Sequence, residues 1–334
     1  MTYPEFRPPF WLRPAMVQTL VASRKFRRAG IHAMEACAQD MILECGPDEQ
    51  GEAARLKASF SQHPQSRGVV IFIHGWEGSQ DSTYVVSCAR YTFERGYSVF
   101  RLNMRDHGDT HHLNEGVFYA PRFREVFNAV RHGAALAQQA GEKTDGQAEG
   151  RAYLVGFSLG GNFALRVARE MKINPIANMA HIFAVSAVVA PVRAAPVCDE
   201  NPFIRHYFLK KWRTSLYKKQ AAFPDLYDFS DLADYKTVMG LSERVVPEYT
   251  PYETLADYFN DYRLWRDDLL DLNFPVTLIS SDDDPVVPAA HLDDLRFGEN
   301  VHDIRLPYGG HNGFFNTLRG PSWYDDYIGS VIGL

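Results

Sequence analysis

Gly156–Phe157–Ser158–Leu159–Gly160–Gly161 follows the apolar run Ala152–Tyr153–Leu154–Val155 and opens a helix-like stretch, Asn162 to Lys172. The pattern is G-x-S-x-G, set between a strand and a helix. A strand that reverses directly into a helix forces the central residue into a strained backbone region. Glycines two residues before and two after the serine remove side chains that would collide, and Gly161 lets the helix start lie close to the sheet. The serine hydroxyl then stands clear of the sheet, beside the positive end of the helix. A glycine-rich turn alone would also suit a phosphate. The strand before it and the helix after it favour a nucleophile.

Outward from this turn, short β-branched runs alternate with longer helical stretches. Arg67 to Ile73, Tyr97 to Asn103, Ala152 to Val155, Ile182 to Ala190, Pro275 to Ser280 and His302 to Leu306 read as strands. Ser82 to Arg95, Arg122 to Ala140 and Asn162 to Lys172 read as the helices between the earlier ones. Near-continuous apolar strands alternating with helices imply an α/β fold with a mostly parallel sheet covered on both faces. Asp40–Glu44 and Leu56–Ser61 are expected to add an antiparallel edge.

The alternation breaks once, from Val192 to about Asp268, where no strand-like run occurs. The expected organisation is a core of residues 1–191 and 269–334, interrupted by a helical cap insertion at 192–268. Phe203, Tyr207 and Lys211, and next to them Ile204, Phe208 and Trp212, recur at helical spacing. An insertion there sits at the strand C-termini, where sites in such sheets lie. Its aromatics suit either plain core or an apolar pocket. Lys210, Lys211, Arg213, Lys218 and Lys219 read as a solvated helix face, or more sharply as a weak membrane-surface contact.

A serine hydroxyl is scarcely ionised at neutral pH and needs an adjacent base, which in turn needs an orienting carboxylate. Of 12 histidines, His291, His302 and His311 lie late enough in the chain. His311 stands in the glycine-rich loop Pro307–Tyr308–Gly309–Gly310–His311–Asn312–Gly313, which can carry an imidazole into a cleft. His291 and His302 read as surface or satisfied polar residues. The acid comes from Asp282–Asp283–Asp284–Pro285–Val286–Val287–Pro288. Asp284 is favoured and Asp282 is the alternative, as a turn cap or as the acid. The oxyanion needs preorganised amides, and the backbone N–H groups of Trp76 and Leu159 are the candidates. His74 is expected to shape the Trp76 loop. Arg105–Asp106–His107–Gly108–Asp109–Thr110–His111–His112 invites a metal, but no pair in it stands on a rigid metal scaffold, so it reads as a pocket wall.

Composition bounds the rest. The 334 residues, 46% hydrophobic, suffice for a large core. A net charge of −6 argues against nucleic acid as the main partner. Four cysteines without a C-x-x-C pair point away from a disulfide framework or a zinc site. Met1 to Pro14 carries four prolines and no signal-like apolar run, and the strongly apolar run Ile182 to Val192 is too short to span a bilayer, so a cytoplasmic location is expected.

These residues resemble the α/β-hydrolase superfamily, and within it the YheT-like, embryogenesis-associated subgroup. The leader Phe6–Arg7–Pro8–Pro9–Phe10–Trp11–Leu12–Arg13, Val17–Gln18–Thr19–Leu20 and Arg27–Arg28 carry the subgroup likeness. His74–Gly75–Trp76–Glu77–Gly78–Ser79, the serine turn with Asn162, Asp283–Asp284–Pro285 and Gly309 to Phe314 carry it further. The resemblance implies a Ser158–Asp284–His311 triad, carboxylic-ester hydrolysis through an acyl-enzyme, and no cofactor or metal. The implied partner is a small-molecule ester, apolar or lipid-like. Acyl transfer on the same triad and a non-catalytic binding role are the alternatives. Where the subgroup carries R-G-x-x-G-S, this chain has Arg105–Asp106–His107–Gly108–Asp109–Thr110, so this pocket wall differs.

Overall fold

The computed structural model describes residues 4–142 and 150–333. Eight strands form one sheet: β1 (Ala38–Pro47), β2 (Ala53–Ser61), β3 (Val69–Ile73), β4 (Ser98–Asn103), β5 (Ala152–Phe157), β6 (Met179–Val185), β7 (Val276–Ser281) and β8 (Val301–Leu306). Ten α-helices accompany them: α1 (Ala15–Ala22), α2 (His32–Ala36), α3 (Thr83–Phe93), α4 (Arg124–Glu142), α5 (Leu159–Glu170), α6 (Pro191–Glu200), α7 (Pro202–Ala222), α8 (Val238–Tyr249), α9 (Leu255–Asp261) and α10 (Trp323–Ile332).

The sheet order is β1-β2-β4-β3-β5-β6-β7-β8. β1 and β2 pair antiparallel, β2 pairs antiparallel with β4, and every other pairing is parallel. The expected antiparallel edge is present. β3, β4, β5 and β7 are buried at every position, as strands covered on both faces must be. Their period of two divides the core into two layers. Val70, Phe72, Val99 and Val155 face α3 and α10 through Val86, Phe93, Trp323 and Tyr327. Val69, Ile71, Ile73 and Leu154 face α4 and α5 through Val126, Val130, Phe163 and Leu165.

Several strand ends shift by one to three residues from the sequence reading, and the largest difference is at β6. β6 starts at Met179 and ends at Val185, so Ser186 to Ala190 is loop, although Ala187 to Ala190 is apolar. Ser186 has a φ of 48°, and a reversed backbone leaves the ladder. Ala187, Val189 and Ala190 are buried in the core layer that holds α4 and α5, and Val188 is half-buried against the helices between β6 and β7.

Between β6 and β7 the chain forms α6 to α9. Asn201 separates α6 from α7: its side chain accepts hydrogen bonds from the amides of Phe203 and Ile204, and Pro202 fits the first helical position. These helices hold a cluster of their own, including Ile204, Leu209, Leu216, Phe229, Leu232 and Leu241. Val117, Val286 and Val287 from core loops complete it.

The connection from β3 runs to one side through α3 to β4, and the chain then returns across β3 through α4 to β5. The order reverses between β3 and β5, so the loops after these two strands diverge and leave a crevice at their C-terminal ends. The loop beginning at His74 and the turn at Ser158 border this crevice.

Candidate active site

Ser158 follows β5 directly and precedes α5, with φ 55° and ψ −115°. Non-glycine residues rarely occupy that region, and over-determined surroundings are needed to hold one there. Here the Ser158 amide donates to the Val185 carbonyl at 2.8 Å, and the Ser158 carbonyl accepts from the Asn162 and Val188 amides. The glycines earn their places by contact. A Cβ on Gly160 would lie 2.3 Å from the Ile73 carbonyl oxygen, and one on Gly156 would lie 2.1 Å from the Gly160 carbonyl oxygen.

His311 and Asp284 arrive from separate loops, after β8 and β7. His311 Nδ1 lies 2.9 Å from Asp284 Oδ2 and 3.1 Å from Oδ1. Asp284 Oδ1 also accepts the Val286 and Val287 amides, at 2.8 and 2.9 Å, so its carboxylate is fixed before it meets the imidazole. The neighbouring aspartates are placed differently. Asp282 is exposed, and Asp283 accepts the Gly310 amide at 2.9 Å, shaping the histidine loop. Of the three carboxylates, Asp284 faces His311.

Ser158 and His311 line one cavity of about 180 Å³. No hydrogen bond joins the serine hydroxyl to the imidazole in this arrangement. Such contacts tighten when substrate binds. A second, apolar cavity of about 110 Å³ opens from the same serine, lined also by Leu159, Phe118, Val188, Trp212 and Tyr262. Trp76 and Phe208 border both.

The Leu159 amide is the first of α5 and has no intrahelical acceptor by position. The Trp76 amide donates to no acceptor among the described residues. Its loop is braced on both sides. The Gly75 amide donates to Tyr84 Oη at 2.9 Å, and the Trp76 ring stacks on Phe208 with centroids 5.1 Å apart. His74 Nδ1 donates to the Gly75 carbonyl at 2.7 Å, while Nε2 accepts the Met104 amide at 3.2 Å. That pairing requires a neutral imidazole, and burial, with His107 nearby, holds the His74 pKa well below its ordinary value.

The other candidates resolve into packing. Arg105 pairs with Glu125 and Asp48, His107 Nδ1 donates to the Arg105 carbonyl, Asp109 pairs with Lys57, and His111 bonds Ser215 Oγ. Among the described residues, no three His, Cys, Asp or Glu side chains gather as metal ligands. The four cysteines are free. His302 is half-buried on β8, whereas His291 is buried and its Nδ1 has no hydrogen-bond partner, so it is neither surface nor fully satisfied.

Two expectations for the basic stretch need correction. Lys219 is fully buried: its ammonium donates to Asp106 Oδ1 at 3.0 Å and to the His111, Asn114 and Gly116 carbonyls. Arg213 is half-buried and donates to the Tyr235 carbonyl. Only Lys210, Lys211 and Lys218 are solvated. A lysine ending one face of a long helix reads as exposed, because the aspartate it meets lies more than a hundred residues earlier.

Some positioning residues carried no signal of their own. Thr19 Oγ1 on α1 accepts the His311 amide at 2.9 Å. Buried Gln18 donates to the Leu12 and Phe315 carbonyls and accepts the Phe315 amide. Gly310, at φ 52°, lets α1 approach, since a Cβ there would lie 2.3 Å from the Ala15 carbonyl oxygen. Ser186 Oγ accepts the Asn312 amide at 3.3 Å. The leader Val17–Gln18–Thr19–Leu20, notable earlier only as a likeness, thus braces the histidine loop.

Comparison with known proteins bears on the fold and the family. No curated protein matches the chain. Among solved structures, an esterase of Pyrococcus furiosus superposes with a TM-score of 0.52 at 15% identity, covering 88% of this chain and 91% of the other. Est1E of Butyrivibrio proteoclasticus, solved with ferulic acid bound, gives 0.52 at 16%, over 87% and 97%. The 2-hydroxy-6-oxo-6-phenylhexa-2,4-dienoate hydrolase of a Rhodococcus strain gives 0.52 at 15%, over 88% and 97%. At such identities these likenesses speak for the fold alone. Residues 70–319 match the model of the alpha/beta hydrolase family, and by that match over most of its length this chain belongs to the alpha/beta hydrolase family.

Proposed function

We propose that the protein is a serine hydrolase acting on carboxylic esters with a small apolar acyl group. The observation that carries the reading is a serine in a strained strand-to-helix turn, sharing one cavity with a carboxylate-held imidazole. His311 takes the Ser158 proton as the hydroxyl attacks the ester carbonyl. Asp284 holds the histidine with Nδ1 protonated and stabilises the imidazolium. The Trp76 and Leu159 amides hold the oxyanion, each contributing about 3–4 kcal/mol in the transition state. Water then cleaves the acyl-enzyme, again with His311 as base. The helices between β6 and β7 serve as a cap. The likeness to the YheT-like subgroup fits this reading, since the leader that carries it braces His311.

Cavity size supports the acyl-group assignment. The apolar cavity is about 110 Å³. An engineered apolar cavity of about 150 Å³ in another protein holds one benzene. A group of about two to four carbons fills this cavity.

p-Nitrophenyl esters of graded chain length test the reading. kcat/KM is expected to peak at short acyl groups and to vanish in Ser158→Ala, and a fluorophosphonate should label Ser158. Full activity in Ser158→Ala would reject the assignment.

A further inference from the structure

Beside the Ser158–His311 cavity lies a larger open cleft of about 570 Å³. The two share Ser23, Trp76, Tyr84 and Tyr207 as a common wall. Their linings differ in kind. The apolar cavity that also opens from Ser158 carries no charged residue, whereas the cleft is lined by Lys25, Arg28, Lys210, Lys211 and Lys218. These cations converge from two separate elements, the short turn after α1 and the helix α7. Lys25, Arg28, Lys210 and Lys211 have no carboxylate within ion-pair distance among the described residues.

The cleft also contains acids, but they do not neutralise it. Asp106 is matched by Lys219, and Asp81 shares Arg101 with Glu35, at 3.6 and 2.9 Å, which leaves one carboxylate against five cations. Burial pushes the Glu77 carboxyl up to about 8, against the opposing pull of Lys211 and Lys218, which weakens it as a counter-charge near neutral pH. His107 and His111 are held neutral by burial, at about 4 and about 3. A chain with a net charge of −6 therefore presents unpaired positive charge at the mouth of its site. Clefts lined by one sign of charge focus the field and concentrate the opposite ion.

Resting on the esterase reading, we propose that this cleft binds an anionic end of the ester's alcohol part. The acyl group occupies the apolar cavity, the carbonyl lies at Ser158, and a carboxylate or phosphate reaches Lys25, Arg28, Lys210 and Lys211. In the first step the bond from Ser158 Oγ to the carbonyl carbon forms and the bond to the alkoxy oxygen breaks. The alcohol leaves with the proton that His311 took from the serine, and carries its anion out through the cleft. Water then breaks the acyl–Oγ bond, returning a proton to Ser158 and releasing the carboxylic acid.

The test compares butyrate esters of 3-hydroxypropanoate, 3-hydroxypropyl phosphate and the neutral 3-hydroxypropanamide. At low salt, at least one anionic ester should exceed the amide in kcat/KM by about tenfold, mainly through KM. The two anionic arms distinguish a carboxylate from a phosphate ligand. The preference should decline as salt screens the cleft, and in the triple variant Lys25→Gln/Lys210→Gln/Lys211→Gln the anionic-to-neutral ratio should fall to about one. Anionic esters no better than the amide, or a ratio unchanged in the triple variant, would overturn the subsite.

If neither these esters nor p-nitrophenyl butyrate is cleaved, the esterase reading fails separately. The subsite is then read by titrating inorganic phosphate and acetate into Ser158→Ala protein while following fluorescence from Trp76 and Trp212. Saturable, salt-sensitive binding of either anion that is lost in the triple variant upholds it. Absence of binding by both overturns it.

Discussion

Ser158 sits where the free chain would not place it, and the surrounding contacts keep it there. The amide bond to Val185 and the two bonds to its carbonyl fix the turn, while Gly156 and Gly160 make room for it. Asp284 is similarly committed: two backbone amides anchor one oxygen before the imidazole arrives. That anchoring separates its structural from its chemical role. Asp284→Asn retains an oxygen that can accept those amides but presents the wrong hydrogen-bonding partner to Nδ1. The variant should fold with little change in Tm while kcat falls by about 10³–10⁴. Steady-state kinetics beside a thermal melt would check this, and a collapse of Tm would show that Asp284 matters chiefly to the fold.

At the scale of elements, two docked helices hold the crevice in shape. α1 holds the histidine loop through Thr19 and Gln18. Thr19→Val removes the acceptor for the His311 amide while keeping the volume. It should lower kcat several-fold and stability by about 1–2 kcal/mol, the cost of one unpaired, partly buried donor. Denaturant titration and turnover on a short ester would show both. α7 is pinned by Lys219, whose ammonium meets a carboxylate and three carbonyls inside the protein. Burial opposes both charges, raising the Asp106 pKa and lowering that of Lys219, and their mutual attraction offsets part of that cost. Lys219→Met strands Asp106 and should destabilise by about 3–5 kcal/mol. Adding Asp106→Asn should recover part of the loss, as a double-mutant cycle by urea unfolding would measure.

For the whole molecule, the two-layer core carries buried imidazoles that the chemistry does not use. His181 stacks on Phe183, with centroids 4.2 Å apart, and its Nε2 bonds Thr277 Oγ1 at 2.9 Å. Burial lowers its pKa from 6.5 to about 3. His107 and His111 are lowered likewise, to about 4 and about 3. Because the folded pKa lies below the unfolded one, the unfolded chain binds the proton first as pH falls. The stability from neutral burial is thus present above pH 6.5 and is lost progressively below it. Each such histidine steepens the acid limb by up to about 1.4 kcal/mol per pH unit. Melts between pH 7 and 4 should show His181→Gln flattening that limb by about one proton, and an unchanged slope would exclude His181 from the acid response.

The α/β architecture was legible in the chain itself, because sharp local signals specify it. Runs such as Val69–Ile73 lack polar positions, so they must lie between two layers, and the glycine spacing around Ser158 is a steric requirement met within six residues. The histidine loop and the aspartate cluster were legible as types and in order along the chain. Which aspartate meets His311 was not, because three adjacent carboxylates differ only in the direction each side chain takes once the loop closes. The burial of Lys219 and the bracing by Thr19 were equally silent, since each depends on a partner brought close only by folding. Equally silent was the placing of an apolar cavity and a cationic cleft around the Ser158–His311 cavity, which draws on the loops after six strands and on several helices. Local sterics and burial periodicity are written in consecutive residues, whereas charge pairing and cavity shape arise between residues far apart in the chain.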